Sequence, residues 1–235
     1  MKEISYNGIV YLFHFSYCND FFDYICYTIH INTAIRKRKE NSMQCIVIDI
    51  ETNYKPGVGN EIVSLAAYRT HIKYVVEPYE QNCTQQKYCI KTVLEPTNDS
   101  FYTLVKPVFT GRLNKKMKKM LNIDETELDA ANTFDKCIEK FQNWVAQSNE
   151  ETVFGAWSDN DFFFMKRDCQ RHYLNHTWFT KHYFDLQRAY DLKNNKKTHT
   201  SLSLALNESN IEFDGRQHNA LDDSKNTMRI LNKTF

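Results

Sequence analysis

The chain has 235 residues, of which 42% are hydrophobic and 25% charged, and its formal net charge is +1. That length suffices for one medium domain with a substantial core, and the composition is that of an ordinary soluble globular protein. The charge balance neither points to nor excludes a nucleic-acid partner, so any basic surface has to be local.

The longest apolar run, residues 8–15, is far short of the roughly 18 residues of a membrane-spanning helix. The first 20 residues also lack a basic start followed by a small-residue cleavage site, so neither a membrane span nor export is expected. Seven cysteines are scattered without zinc-type spacing. Cys45 and Cys137 fall inside apolar patterns and read as buried free thiols, whereas Cys83 and Cys89 are close enough in sequence to pair within a loop. A reducing, cytoplasmic location fits this usage best.

Residues 1–42 are crowded with Tyr and Phe, and no helical or strand period persists in them. They end in the charged stretch Arg36-Lys37-Arg38-Lys39-Glu40, immediately ahead of Met43. Two readings stand. Codons for Arg-Lys-Glu can spell a purine-rich ribosome-binding sequence, which would make Met43 the true start. Alternatively, residues 1–42 are a genuine N-terminal extension docked by its aromatics. Residues 43–235 then form the main domain.

From Met43 onward the chain alternates strand-like and helix-like segments. Residues 45–50 form an apolar run that suits a buried strand. Residues 61–69 are a second strand, and residues 74–77 extend it or open a third, closed by Pro78. The polar stretch 79–98 reads as a long hairpin or insertion, and residues 100–105 as another strand, stopped by Lys106-Pro107. A short basic helix is expected over 113–121. An amphipathic helix over 135–148 has Ile138, Phe141, Trp144 and Val145 at helical spacing, with Thr133 or Asp135 as its cap. A strand at 152–157, a helix at 161–175, a short strand at 182–186, and helices at 201–207 and 220–231 complete the chain. This order predicts an α/β fold with a mixed central sheet flanked by helices.

Three acidic segments carry the chemistry. At the end of the first strand, Asp49 and Glu51 project to one side, about 7 Å apart, an expensive arrangement unless a cation compensates it. Asp161 opens the helix that follows a strand, and Asp223 lies about one turn after His218 near the start of the last helix. Taken singly, the first pair reads as a solvated turn and the other two as helix caps. Taken together, they supply what phosphodiester hydrolysis by two metal ions needs: several carboxylates able to hold cations roughly 3.5–4 Å apart, and a titratable imidazole beside the water.

Asp49-Ile50-Glu51-Thr52 resembles the first exonuclease motif of the DnaQ-like superfamily. Trp157-Ser158-Asp159-Asn160-Asp161, followed by Asp168-Cys169, resembles the second, and His218-Asn219-Ala220-Leu221-Asp222-Asp223, with Asn226 and Arg229-Ile230 after it, the third. The spacing of His218 and Asp223 is similar to the DEDDh branch, and the likeness is strongest to Eri-type RNA exonucleases and the KapD-like group. It covers residues 43 to the C-terminus and implies an RNase H-like exonuclease fold. It further implies Asp49, Glu51, Asp161 and Asp223 as ligands for two Mg²⁺ or Mn²⁺ ions and His218 as general base, with Asp222 in an orienting or capping role. The implied reaction is 3′→5′ removal of nucleoside 5′-monophosphates from single-stranded RNA or DNA 3′ ends, RNA favoured. Three departures from the pattern are a long 79–98 connection, Ser158 where Gly is common, and Met120-Leu121-Asn122-Ile123-Asp124 in the segment that faces the terminal nucleotide.

Thr52, Trp157, Ile123 and Arg216 are the candidate substrate contacts. Arg216 is suited to meet a phosphate bidentately, and Trp157, Phe109 and Ile123 either stack on or clamp terminal bases or, as such side chains more often do, belong to the core. Lys115, Lys116, Lys118 and Lys119 form the densest basic cluster, which reads either as a phosphate track or as a solvated helix face. Two other functions fit the same fold: a regulatory nucleic-acid-binding protein with little turnover, and a DNA-proofreading exonuclease. A binding module has no need for four carboxylates that repel phosphate.

Overall fold

The structure, a computed structural model, describes residues 2–6, 9–13, 43–79 and 87–234. Strands β1 (Lys2–Tyr6) and β2 (Ile9–Phe13) pair antiparallel. The rest of the segment ahead of Met43 lies outside the described residues, as do Cys18, Cys26 and Cys83.

The main domain runs β3 (Met43–Lys55), β4 (Gly59–Tyr79), β5 (Lys87–Leu104), α1 (Lys115–Leu121), α2 (Glu125–Ala130) and α3 (Phe134–Val145). It continues with β6 (Glu151–Ala156), α4 (Asn160–Arg171), α5 (Thr177–Thr180), β7 (Tyr183–Asp185), α6 (Leu186–Lys193), α7 (Leu202–Glu208) and α8 (Ala220–Thr234). The sheet has the order β5-β4-β3-β6-β7. β3, β4 and β5 are antiparallel neighbours joined as hairpins, whereas β6 and β7 pair parallel to what precedes them. Parallel pairing needs a crossover, and the α1–α3 and α4–α5 segments supply the two. The expected mixed, helix-flanked sheet is therefore the observed one.

The alternation along β3 divides the interior. Ile46, Ile48 and Ile50 face a core formed with Phe141, Phe154, Met165 and Phe179, while Cys45 and Val47 face a second core with Met228, Leu231, Leu186 and Tyr190. Asp49 and Glu51 continue the second set, so they emerge on the face that α8 covers. The helix expected at 135–148 is α3. Phe134, Cys137, Ile138, Phe141 and Trp144 are buried at spacings of three and four, and Arg69 lies over the Trp144 ring at 4.4 Å. Cys45, Cys137 and Cys169 are free and buried.

Several expectations need correction. β4 does not stop before Pro78; it continues to Tyr79, with Pro78 opposite Tyr88. β3 ends its pairing with β4 at Ile72. Beyond that point β4 has β5 as its strand partner, and the missing N–H of proline breaks no second ladder. Much of the stretch read as an insertion is thus β4–β5 ribbon. Three short helices, α2, α5 and α6, were not anticipated, and the helix expected to reach residue 175 ends at Arg171.

Gly155, in the middle of the sheet, marks a close approach. A Cβ there would stand 2.9 Å from Leu186 Cδ1, so α6 reaches β6 only because residue 155 has no side chain.

Candidate active site

Asp49 and Glu51 are adjacent same-face positions in the middle of β3, not at its end as expected, because the strand runs on to Lys55 past a bulge between Glu51 and Thr52. α8 brings Asp223 to them. Carboxylate oxygens of Asp49, Glu51 and Asp223 all lie within 4.8 Å of one another.

Asp161 arrives from the first turn of α4 and is 7% exposed. Its Oδ1 accepts the Ile50 N–H at 2.9 Å. That N–H lies past the last β3–β6 pair, Val47–Gly155, where β3 has outrun its parallel neighbour. Two turns later on the same helix, Asp168 Oδ2 accepts the Ile62 N–H on β4 at 2.7 Å. α4 is therefore fastened to two strands by carboxylates seven residues apart, and the first of them borders the acid cluster. Asp159, two residues before the sheet-bound Asp161 but exposed, occupies the N-cap position of α4 without a side-chain cap bond.

The loop before α8 is organised by α8 itself. Asn219 Oδ1 accepts the N–H groups of Leu221 and Asp222, capping the helix. Asp222 accepts the Arg216 N–H at 2.8 Å, so it orients the loop and does not cap. Asn226, buried, bonds the backbone of Asp214 in both directions, and Asp223 Oδ2 accepts the His218 N–H at 2.8 Å. His218 has φ 61, an uncommon value for a residue with a side chain. Residues 222, 223 and 226 thus hold His218 and Arg216 beside the acids.

Gly215 is required in this loop. Its φ is +95, and a Cβ would fall 2.3 Å from Asp222 Cγ. Gly215→Ala should displace the loop and lower turnover about tenfold or more, through strain of the size stored at such positions, while the melting temperature changes little because the segment is exposed. Parallel kinetics and thermal denaturation check this; unaltered kinetics would show that loop geometry is not limiting.

Electrostatically the cluster is under stress. Burial, followed by the charges of Asp161, Glu51 and Asp223, raises Asp49 well above the usual carboxylate range. Burial and the neighbouring Asp223 and Asp161 push Glu51 up to about 8. Burial lifts Asp161 to about 7 against its hydrogen bond from Ile50, and Asp223 to about 6 against its bond from His218. A set of crowded carboxylates that cannot all ionise without a counter-charge is a donor set for a hard divalent cation.

The candidate substrate contacts are placed unequally. Arg216 is exposed, and its guanidinium bonds the Leu121 carbonyl, bridging the loop to α1. Ile123 is partly buried against the Leu113, Leu121 and Leu128 cluster. The Thr52 hydroxyl is buried and accepts from Asn60 at 2.8 Å. Trp157 offers no stacking face. It is 8% exposed, its indole N–H donates to the Thr200 carbonyl at 3.0 Å, and Tyr190 packs on it at 5.5 Å. Phe109 is partly exposed and packs against His172 and the Arg171 guanidinium. The α1 lysines are exposed, and Lys118 pairs with Glu125.

Two residues outside the three motifs also contribute. Asp185, at the end of β7, adds negative charge beside Asp161. Glu61 is 3% exposed and accepts the N–H groups of Val108, Phe109 and Thr110, fixing the 108–110 loop to β4.

The fold is that of a DEDDh nuclease. It superposes on the nuclease domain of 3′hExo, a DEDDh family member bound to rAMP, with a TM-score of 0.64 at 21% identity, covering 84% of this chain and 92% of that one. Residues 46–231 match the exonuclease family RNase_T, and the chain belongs to it. It is 26% identical over 140 residues to 3′-5′ exoribonuclease 1 of Mus musculus, a match that covers 56% of this chain and 40% of that protein. It is 23% identical over 142 residues to the probable 3′-5′ exonuclease KapD of Bacillus subtilis (strain 168), covering 60% and 68% respectively. The match thus spans less than half the length of the mouse relative. Among the described residues, no helix is long and apolar enough to cross a membrane.

Proposed function

We propose that the domain comprising residues 43–235 is a metal-dependent 3′→5′ exonuclease acting on single-stranded 3′ ends, RNA in preference to DNA, and releasing nucleoside 5′-monophosphates. The observation that carries the reading is the meeting of Asp49, Glu51 and Asp223 within 4.8 Å, bordered by buried Asp161. The exonuclease family match gives the reaction class, and the relatives named as exoribonucleases favour RNA.

Asp49, Glu51, Asp161 and Asp223 would hold the cations, Mg²⁺ or Mn²⁺ and two per site. When bound, such ions supply Lewis-acid stabilisation of the charge that develops on the scissile phosphate and make the attacking water more acidic. The chain does the rest. Asp223 accepts the backbone N–H of His218, whose left-handed backbone sits beside the acid cluster, and the imidazole of His218 would accept the proton of the attacking water. Arg216, its backbone fixed by Asp222, presents a guanidinium to substrate phosphate. Buried free thiols at Cys45, Cys137 and Cys169 suit a reducing compartment such as the cytoplasm.

The test is to incubate the purified chain with 3′- and 5′-labelled RNA and DNA of one sequence, with Mn²⁺ or with EDTA. The 5′ label should pass into a ladder that shortens from the 3′ end, the 3′ label should appear at once as mononucleotide, and EDTA should abolish both. Binding without a ladder would favour the regulatory reading.

A further inference from the structure

Across the sheet, Asp49 pairs with Ala66 and Ala66 with Tyr102; in the next same-face row, Glu51 pairs with Ser64 and Ser64 with Leu104. Residues paired across neighbouring strands project to the same face. Tyr102 therefore stands on the catalytic face of β5, two inter-strand steps or roughly 10 Å from Asp49. The positions between them, Ala66 and Ser64, carry side chains that rise little above the sheet. Tyr102 is also left open, at 45% exposure, whereas the neighbouring Phe101 points the other way and packs on Phe141 and Trp144.

The phenol lies where three elements meet. Burial raises its pKa, Glu127 of α2 and Glu51 of β3 push it further up, and Arg216 of the loop before α8 opposes them. Arg216 in turn bonds the carbonyl of Leu121 at the end of α1. The open aromatic ring thus stands within electrostatic reach of Glu51 of the acid cluster and of Arg216, the candidate phosphate contact. A planar apolar face beside a cation and a cleavage centre suits one class of occupant, a nucleobase whose own phosphodiester lies at the acids.

We propose that Tyr102 is a positioning residue for the 3′-terminal nucleotide, its ring packing against the terminal base while the scissile phosphate lies at Asp49, Glu51 and Asp223. The proposal rests on the active-site reading above. Trp157, which holds the more prominent sequence position, is buried and cannot take this part.

The test uses the full chain and single-stranded RNA with 2-aminopurine, whose fluorescence is quenched by stacking, at the 3′-terminal position or five nucleotides upstream. In an Asp49→Asn background, the terminal probe should be quenched on binding, Tyr102→Leu should relieve the quenching, and Tyr102→Phe should restore it. The upstream probe should not respond to residue 102. In the Asp49 protein, Tyr102→Leu should raise KM about 5- to 150-fold, the range of one base–aromatic stack, with the loss in KM rather than kcat. Terminal quenching that persists in Tyr102→Leu, while Asp49→Asn is inactive, overturns the Tyr102 contact alone. Loss of quenching in Tyr102→Phe as complete as in Tyr102→Leu overturns the ring's role. Normal turnover in Asp49→Asn overturns the acid site and the Tyr102 contact with it.

Discussion

Asp49→Asn should abolish hydrolysis and at the same time make the cation-free fold more heat-resistant at neutral pH. The first effect follows from deleting one donor of a three-carboxylate cluster. Loss of a single preorganised electrostatic group costs about 10²–10³ in rate, and here the remaining donors lose their shared cation as well, so a fall of about 10³-fold or more is expected. The second effect follows from linkage. Asp49 is raised well above its ordinary value, and Glu51, Asp161 and Asp223 are raised to about 8, 7 and 6. In that state the folded chain keeps protons that the unfolded chain has already released above pH ~4. Stability without cations therefore declines as pH rises from the ordinary carboxylate range through about 8. Asparagine removes one competitor for charge, so the decline should be shallower. Melting curves from pH 5 to 8 in EDTA, for wild type and Asp49→Asn, measure both slopes. Added Mn²⁺ should raise the wild-type melting temperature more at pH 8 than at pH 6, because cations displace protons, and should act weakly on the variant. A wild-type melting temperature that climbs with pH in EDTA would contradict the crowded-acid description.

His218→Ala should lower kcat about 10²- to 10⁴-fold, the range for removal of a general base, while leaving cation binding largely in place. The distinction has a structural basis. The backbone N–H of His218, not its imidazole, is bonded to Asp223, so alanine at 218 preserves the bond that orients the acid. The variant should keep the Mn²⁺-induced rise in melting temperature that Asp49→Asn loses. Its pH–rate profile should also lose the limb belonging to the imidazole. A profile of unchanged shape would move the base elsewhere.

Which parts of this arrangement were legible follows from the range of the interactions involved. β3 was readable in its first half because residues 45–50 are apolar on both faces, and its continuation past the two acids to Lys55 was not. α3 was readable because Cys137, Ile138, Phe141 and Trp144 recur on one side of a helix. The third motif was readable as a unit because Asp222, Asp223 and Asn226 act within a dozen residues on the loop that precedes them. Tyr102 was not, although its strand was. Knowing that residues 100, 102 and 104 share a face does not say which face, and that depends on pairing with β4 at positions 64–68. Trp157 went astray for a related reason. A tryptophan just past a strand reads as open until α6 is known to place Tyr190 against it, and α6 is a short helix whose strength lies in tertiary packing against β6. The long β4–β5 ribbon was hidden by Pro78 and Pro96, residues that weaken a strand pattern but are tolerated where one edge has no partner.

Asp161 differs from the other acids in holding the sheet together. Its carboxylate occupies a backbone amide of β3 that β6 no longer reaches, so mutating it leaves a buried donor without a partner as well as removing a ligand. Asp49 has no such second duty among the described hydrogen bonds. A lineage drifting toward a silent, binding-only descendant would therefore shed Asp49 before Asp161, and an aspartate surviving at 161 in a sequence that has lost its counterpart at 49 would testify to architecture and not to retained catalysis.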